Sequence, residues 1–267
     1  MDLQTDRPHP ARVYNFLLGG DVYFDADRVA AEQGMRSNPA SRVPPRENRA
    51  FMRRAVRYLA AVRGVDQFLD IGTGIPSAPN VHHVAQGVHP AARVVYVDHD
   101  PIVLAHAEGL LDGTTRGVTD FLQADLLDPA AILATPRVRE VLDFDRPIGL
   151  LLLAVMHFVG DDDDPYGIVR TLLDGLPPGS FLVLSHLTGD FLPEAWADVT
   201  EIYRRQGVTM RVRSKDEVAR FFTGLELVDP GLEVITRWRP NPAERSDETD
   251  AAVSVYGGVA QTPRPRT

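Results

Sequence analysis

Between residues 63 and 187 the chain alternates short apolar runs with stretches of helical spacing. Gln67–Ile71 (QFLDI), Arg93–Val97 (RVVYV), Thr119–Gln123 (TDFLQ), Ile148–Val155 (IGLLLLAV) and Ser180–His186 (SFLVLSH) read as strands. Apolar runs without polar alternation predict strands buried on both faces, the habit of parallel sheets. Helices fit between them at about 78–88, 100–111, 129–142 and 165–176. Such alternation predicts an α/β fold: a doubly wound, mostly parallel sheet with helices on both faces and right-handed crossovers. Helices near 193–206 and 214–223 follow, the first opened by Pro193 and the second by the capping pair Ser214 and Glu217. Strands near 225–229 and 252–260 finish the sheet, the last pair antiparallel. Upstream, helices are expected near 10–18, 25–34 and 45–62, the last opening at Pro44-Pro45. The domain plan is an N-terminal helical cap over 1–62, an α/β domain over 63–261 and a disordered tail, TPRPRT, over 262–267.

Composition narrows the function. The chain has 267 residues, 44% hydrophobic, enough for one substantial core. A net charge of −9 leaves no general basic surface for a phosphate backbone, so nucleic acid is not the expected partner. With no cysteine, disulfides, thiolate metal sites and a cysteine nucleophile are excluded. Met1–Pro10 is polar and unlike a secretory leader, and the longest apolar run, Ile148–Val159, is too short to span a bilayer. A cytoplasmic protein without a membrane partner is the expectation; the oligomeric state stays open.

The candidate chemistry sits at strand ends. Asp70-Ile71-Gly72-Thr73-Gly74 closes the first buried strand. Glycines there allow a sharp turn and close approach of a ligand, and the following helix N-terminus is expected to offer free N–H groups. Dinucleotide folds use G-x-G-x-x-G at this corner, but Gly74 is followed by Ile75, Pro76 and Ser77. An acidic residue ahead of the glycines suits a ligand with an amino group better than one with phosphates. S-adenosylmethionine is such a ligand. The alternative is an ordinary strand-to-helix turn. Asp98 ends the second strand, where a carboxylate either accepts ribose hydroxyls or caps the next helix. Asp125, after the third, either receives an adenine amino group or caps its loop. Thr73, His99 and Leu126 lie in the same turns and join the candidate cofactor set, as do Ala154 and Met156 at the end of the fourth strand. His157 next to them is either a general base or a structural histidine.

At these positions the sequence resembles the class I S-adenosylmethionine-dependent methyltransferases, over residues 66–187. It more closely resembles an actinobacterial "S-adenosyl methyltransferase" family of mostly unassigned substrate, through Pro8–Gly20 (PHPARVYNFLLGG), Arg46–Arg49 (RENR), Phe68–Gly74 (FLDIGTG) and Tyr256–Val259 (YGGV). The resemblance implies a seven-stranded Rossmann-like core with the N-terminal helices laid as a lid over the cofactor mouth. It implies adenosylmethionine at Asp70, Gly72, Asp98 and Asp125, and makes Tyr14, Asn15, Gly19, Arg46 and Arg49 candidates for the lid and substrate side. Arg46 and Arg49 lie three apart, on one helix face, able to hold a carboxylate or simply to be solvated.

The expected activity is methyl transfer to an O or N atom of a small molecule, with His157 the first candidate base and Tyr14 the second. A regulatory protein that binds adenosylmethionine without turnover is the alternative, and a nicotinamide oxidoreductase a weaker one. No metal is expected: Asp161–Asp164 (DDDD) reads as a solvated loop before the helix at Pro165, and the adjacent His82 and His83 face different sides of a helix.

Overall fold

A computed structural model describes residues 5–107 and 116–264. Three helices come first, α1 (Pro10–Leu17), α2 (Asp25–Ser37) and α3 (Val43–Arg63). The strand–helix alternation follows as β1 (Gln67–Ile71), α4 (Val81–Val88), β2 (Arg93–Asp98), α5 (Pro101–Ala107), β3 (Val118–Gln123), α6 (Pro129–Ala134), α7 (Pro136–Val141), β4 (Gly149–Leu153), α8 (Pro165–Asp174) and β5 (Phe181–Leu187). The chain closes with α9 (Pro193–Arg205), α10 (Lys215–Ala219), β6 (Glu226–Leu227), β7 (Glu233–Val234), α11 (Asp250–Val253) and β8 (Val255–Gln261). In the sheet the order is β3-β2-β1-β4-β5-β8-β6, with β7 also on β8. β1 to β5 run parallel, and β8 returns antiparallel between β5 and the two short strands.

Why the apolar runs become central strands is visible in their burial. Every residue of β1, β5 and β8 is buried, as are Gly149–Leu152 of β4. α3 covers this sheet with one face, Phe51, Met52, Ala55, Val56 and Leu59, and Phe51 meets Trp238 edge-on with ring centroids 5.4 Å apart. α3 stops at Gly64, which takes the left-handed conformation of a helix C-cap.

Four local expectations are corrected. The sheet has eight strands, not seven, because its outer edge beside β8 comes in two pieces. β6 pairs with Ala260–Gln261 and β7 with Tyr256–Gly257, and Asp229-Pro230-Gly231 separates them, since proline cannot join a ladder as donor. The single helix expected over 129–142 is α6 and α7, divided where Pro136 has no N–H to continue the first. The expected strand 252–260 begins at Val255; Thr249 caps a helical turn over Asp250–Val253 first. The helix after the Asp70–Gly74 turn starts at Val81, not near 78, because Pro76 and Pro79 keep the segment irregular. Of the helix expected over 100–111, residues 108–111 lie outside the described residues, as do 265–267 of the expected tail.

Candidate functional site

Strand order reverses between β1 and β4, the point at which open α/β sheets take ligands. A cavity of about 870 Å³, counting its open mouth, lies there. Its floor is the β1 turn. Gly72 and Gly74 have φ of +73° and +67°, backbone that favours glycine. A Cβ on Gly72 would sit 2.4 Å from Val155 Cγ2, whereas one on Gly74 would meet only Ala11 Cβ, at 3.8 Å. The turn is tied down from β2: the Gly74 N–H donates to Asp98 Oδ2 (2.8 Å), while Asp98 Oδ1 accepts from Asp100 N (3.0 Å). The N–H of Gly74 is thus already used, and the following helix starts only at Val81, so the turn does not run directly into a helix N-terminus as the sequence suggests.

Asp70 is the electrostatic centre of this cavity. Burial raises its carboxyl to about 7; the Thr73 hydroxyl, donating to Oδ2 at 3.1 Å, and the Arg49 charge pull the other way, and Asp98 adds to the rise. Arg49 reaches in from α3 and donates to the carbonyls of Ser77 and Pro79. His99 and Ala154 line the same space, with Tyr14 and Asn48 on its upper wall.

Other expected residues go elsewhere. Arg46 does not act with Arg49: it lies outside this cavity, half-exposed and paired with Glu47 (3.2 Å) and Glu248 (2.5 Å). Asn15 closes its own turn, its Oδ1 accepting from Val22 N at 3.1 Å, and Gly19 sits in that turn with φ +84°. Neither lines the cavity. Asp125 is exposed beyond β3, where its Oδ1 accepts from Leu127 N (2.9 Å), and Leu126 is buried beside it. Met156 is withdrawn from the expected cofactor set: it is fully buried in the core and does not line this cavity, and its carbonyl accepts from Arg213 and from Val159 N. Of the acidic loop, Asp161 pairs with Arg211 and Arg213, and Asp164 caps α8.

A second cavity, of about 680 Å³ counting its mouth, adjoins the first and shares Pro10, Tyr14, Asn48, Ala154 and Phe158 with it. Among its further walls are α2, α9, Val13 and Leu17 of α1, Pro44 and Pro45 of α3 and the strand-end residues Leu187 and Val255. The boundary between the two is a buried hydrogen-bonded chain that the sequence reading did not find. Tyr14 Oη donates to Pro45 O (3.0 Å) and accepts from Asn48 Nδ2 (3.1 Å). Ser185 Oγ donates to Asn48 Oδ1 (2.6 Å) and accepts from Ala154 N (3.0 Å). Ala154 has φ +54°, a conformation costing a non-glycine residue about 1 kcal/mol or more, and these bonds hold it there. With its phenol so engaged, and burial raising its pKa, Tyr14 stays protonated.

His157 lines the second cavity and is buried. Burial first, then His186 and Arg213, lower its pKa well below the usual histidine value, so the ring is neutral. Beneath it Arg213, 1% exposed, donates to Met156 O (3.0 Å), Val159 O (3.1 Å) and Asp161 Oδ1 (2.7 Å). His186 Nδ1 donates to Leu187 O (2.7 Å), which leaves Nε2 to accept from Arg213 at 3.0 Å. Arg213 therefore fixes the backbone that carries His157 and Phe158. In the sequence it is one arginine of a surface-looking RVRSK segment; nothing in the local pattern marks it.

A family model described as S-adenosyl methyltransferase matches residues 1–263. Among solved structures, a DUF574 family protein from Streptomyces avermitilis is 46% identical, with TM-score 0.95, over 98% of this chain and 100% of that one. A candidate methyltransferase from Thermobifida fusca is 37% identical, with TM-score 0.90, over 98% of this chain and 97% of that one. The N-methyltransferase NodS from Bradyrhizobium japonicum, solved with S-adenosyl-L-homocysteine, is 14% identical with TM-score 0.50 over 95% of this chain and 100% of that one, a likeness of fold. No curated protein matches the chain. Among the described residues no helix is long and apolar enough to cross a membrane.

Proposed function

The chain belongs to the S-adenosyl methyltransferase family and is an S-adenosylmethionine-dependent methyltransferase; from this premise we propose that it methylates an O or N atom of a small molecule in the cytoplasm. The observation that carries the reading is the meeting of two cavities at Ala154, one with a buried carboxyl and a glycine floor, the other apolar. S-adenosylmethionine, when bound, supplies a methyl group made electrophilic by its sulfonium.

The first cavity fits that cofactor. Asp70 is a buried carboxyl that gains a counter-charge on meeting an ammonium. Each Asp98 oxygen already accepts one bond and keeps a lone pair for a ribose hydroxyl. Gly72, Thr73 and Gly74 allow close backbone approach, and His99, Asp125 and Leu126 extend the same sheet end toward the adenine. Ala154 flanks the reacting side. We assign residues 1–62 the role of a cap that excludes water and aligns the acceptor, the main demands of methyl transfer. Within it Tyr14 and Arg49 position groups, and Tyr14, whose proton is held by Pro45 O, is not the base. His157 is neutral and lines the acceptor side, so it remains the candidate to take a proton from the nucleophile. The net charge of −9 supports a partner other than nucleic acid.

Calorimetric titration with S-adenosylmethionine, and separately with NADH, tests this reading. Binding of the first alone, lost in Asp98→Ala, is the expected result. Absence of S-adenosylmethionine binding would overturn the assignment of the first cavity.

A further inference from the structure

We infer that the methyl acceptor is a neutral, mostly apolar molecule with a flat aromatic body, whose nucleophilic atom sits at the end nearest Ala154 and Phe158. This rests on the methyl-transfer reading and adds the substrate class. Three features of the second cavity carry it.

The first is charge. Among the described residues lining this cavity, none is Asp, Glu, Lys or Arg. Its polar groups carry no charge, and two of them, Trp196 Nε1 and His157 Nδ1, are buried without a hydrogen-bond partner. The Tyr14 phenol and the Asn48 amide serve each other, Pro45 and Ser185, and His157 is kept neutral by burial. A carboxylate, phosphate or ammonium entering here would shed its hydration with no ion to replace it, which opposes binding. A neutral apolar body pays no such penalty and gains by leaving water.

The second is shape. One side is aromatic, with Phe158, Trp196 and Tyr203; the Phe158 and Tyr203 rings stand 6.2 Å apart. The same lining includes Ala30, Ala31 and Gly34 of α2. A Cβ placed on Gly34 meets no atom within 4 Å, so the space beside the helix is open. Small residues together with rings in one lining leave room that suits a planar molecule, and rings prefer offset or edge contacts with such a body.

The third is direction. Ala154 and Phe158 line both cavities, together with Pro10, Tyr14 and Asn48, so an occupant of the second cavity meets the cofactor side where these five residues lie. The nucleophile must therefore be carried at the edge of the acceptor that points to Ala154.

The test uses the full-length protein saturated with S-adenosyl-L-homocysteine at neutral pH. It is titrated with 2-naphthol, 2-naphthoate and protonated 2-naphthylmethylamine, three probes of similar body and different charge. The inference expects 2-naphthol to bind at least about tenfold more tightly than either charged probe, a ratio well within the cost of desolvating one charge. Gly34→Phe, and Gly34→Leu should the larger variant misfold, should abolish naphthol binding and leave the homocysteine affinity unchanged. Equal or tighter binding of a charged probe overturns the inference, as does naphthol binding that ignores both Gly34 variants, or no naphthol binding by a protein that holds the homocysteine. Failure to bind S-adenosyl-L-homocysteine, read first and separately, strikes the methyl-transfer reading itself and takes this inference with it.

Discussion

Ser185 Oγ donates to Asn48 Oδ1 across 2.6 Å, and so fastens the opening turns of α3 to the end of β5. The bond is buried, and each partner has a second task. Ser185 accepts from Ala154 N, and Asn48 turns its amide toward Tyr14. Removing the serine hydroxyl leaves Asn48 Oδ1 without a donor in a dry site. Ser185→Ala should therefore lose about 1–3 kcal/mol in urea unfolding, the usual cost of a stranded buried polar group. A loss below about 0.5 kcal/mol would show that the chain of bonds is slack.

On the proposed meeting of Asp70 with the cofactor's ammonium group, cofactor affinity should depend on pH. Its carboxyl rises from the model-compound value of 3.8 to about 7 in the empty protein, chiefly through burial, so below neutrality it is largely protonated. A ligand bearing an ammonium group prefers the ionised form. S-adenosylmethionine should bind more tightly as the pH rises through 7 and release protons as it binds near that pH; Asp70→Asn should flatten both effects. The sign for folding is the reverse. The native state holds this proton more firmly than the unfolded chain, so the group's contribution to stability is present below 3.8 and is lost as pH rises through 7. At mildly alkaline pH, empty Asp70→Asn should therefore melt above the parent protein. Differential scanning calorimetry and proton-release calorimetry decide both points.

Arg213 should matter more than its sequence context suggests. Arg213→Met keeps much of the bulk but strands the carbonyl of Val159 and the Nε2 of His186, and leaves Met156 O with only the longer bond from Val159 N (3.3 Å). A loss of about 1–3 kcal/mol is expected from leaving buried acceptors without their donor. Burial holds His186 down to about 3, with the Arg213 charge contributing. Imidazole resonances of His186 and His157 should accordingly titrate at higher pH in the variant. Unmoved titration curves would mean that the guanidinium has no influence on either ring.

The two glycines of the β1 turn should respond unequally to alanine. Both have positive φ, so each substitution costs about 1 kcal/mol in the backbone. Only at Gly72 does the new methyl collide with a neighbour, Val155. Crowding there should add about 1–3 kcal/mol, so Gly72→Ala should be clearly less stable than Gly74→Ala by chemical denaturation. Equal losses would remove the Val155 contact as the reason for glycine at 72.

The sequence carries the sheet and its ligand end because both follow from local signals. Unbroken apolar runs can only be doubly covered strands, and a carboxylate or glycine at the close of each run falls at one end of the sheet. Asp70, Gly72, Asp98 and Ala154 are legible for this reason. The misses are of another kind. Asn48, Ser185 and Arg213 earn their roles from partners 137, 137 and 57 positions away, and no periodicity encodes such pairings. Arg46 and Arg49 share a helix face by spacing, yet one meets Glu248 outside and the other the Ser77–Pro79 loop, because the surroundings, not the helix, choose the partner. The second outer strand is invisible because β7 has only two residues, too few to show alternation.

The walls of the second cavity have a consequence for the order in which the molecule matures. They combine residues 10–48, made first, with Trp196, Tyr203 and Val255, made among the last. Phe51 and Asn48 wait likewise for Trp238 and Ser185. During synthesis the β1–β4 frame and its glycine turn can form while the opening helices still lack their far partners. The earlier-made helices are thus among the last to meet their partners, and a chain interrupted after β5 would keep the glycine turn but lack the finished walls of the second cavity.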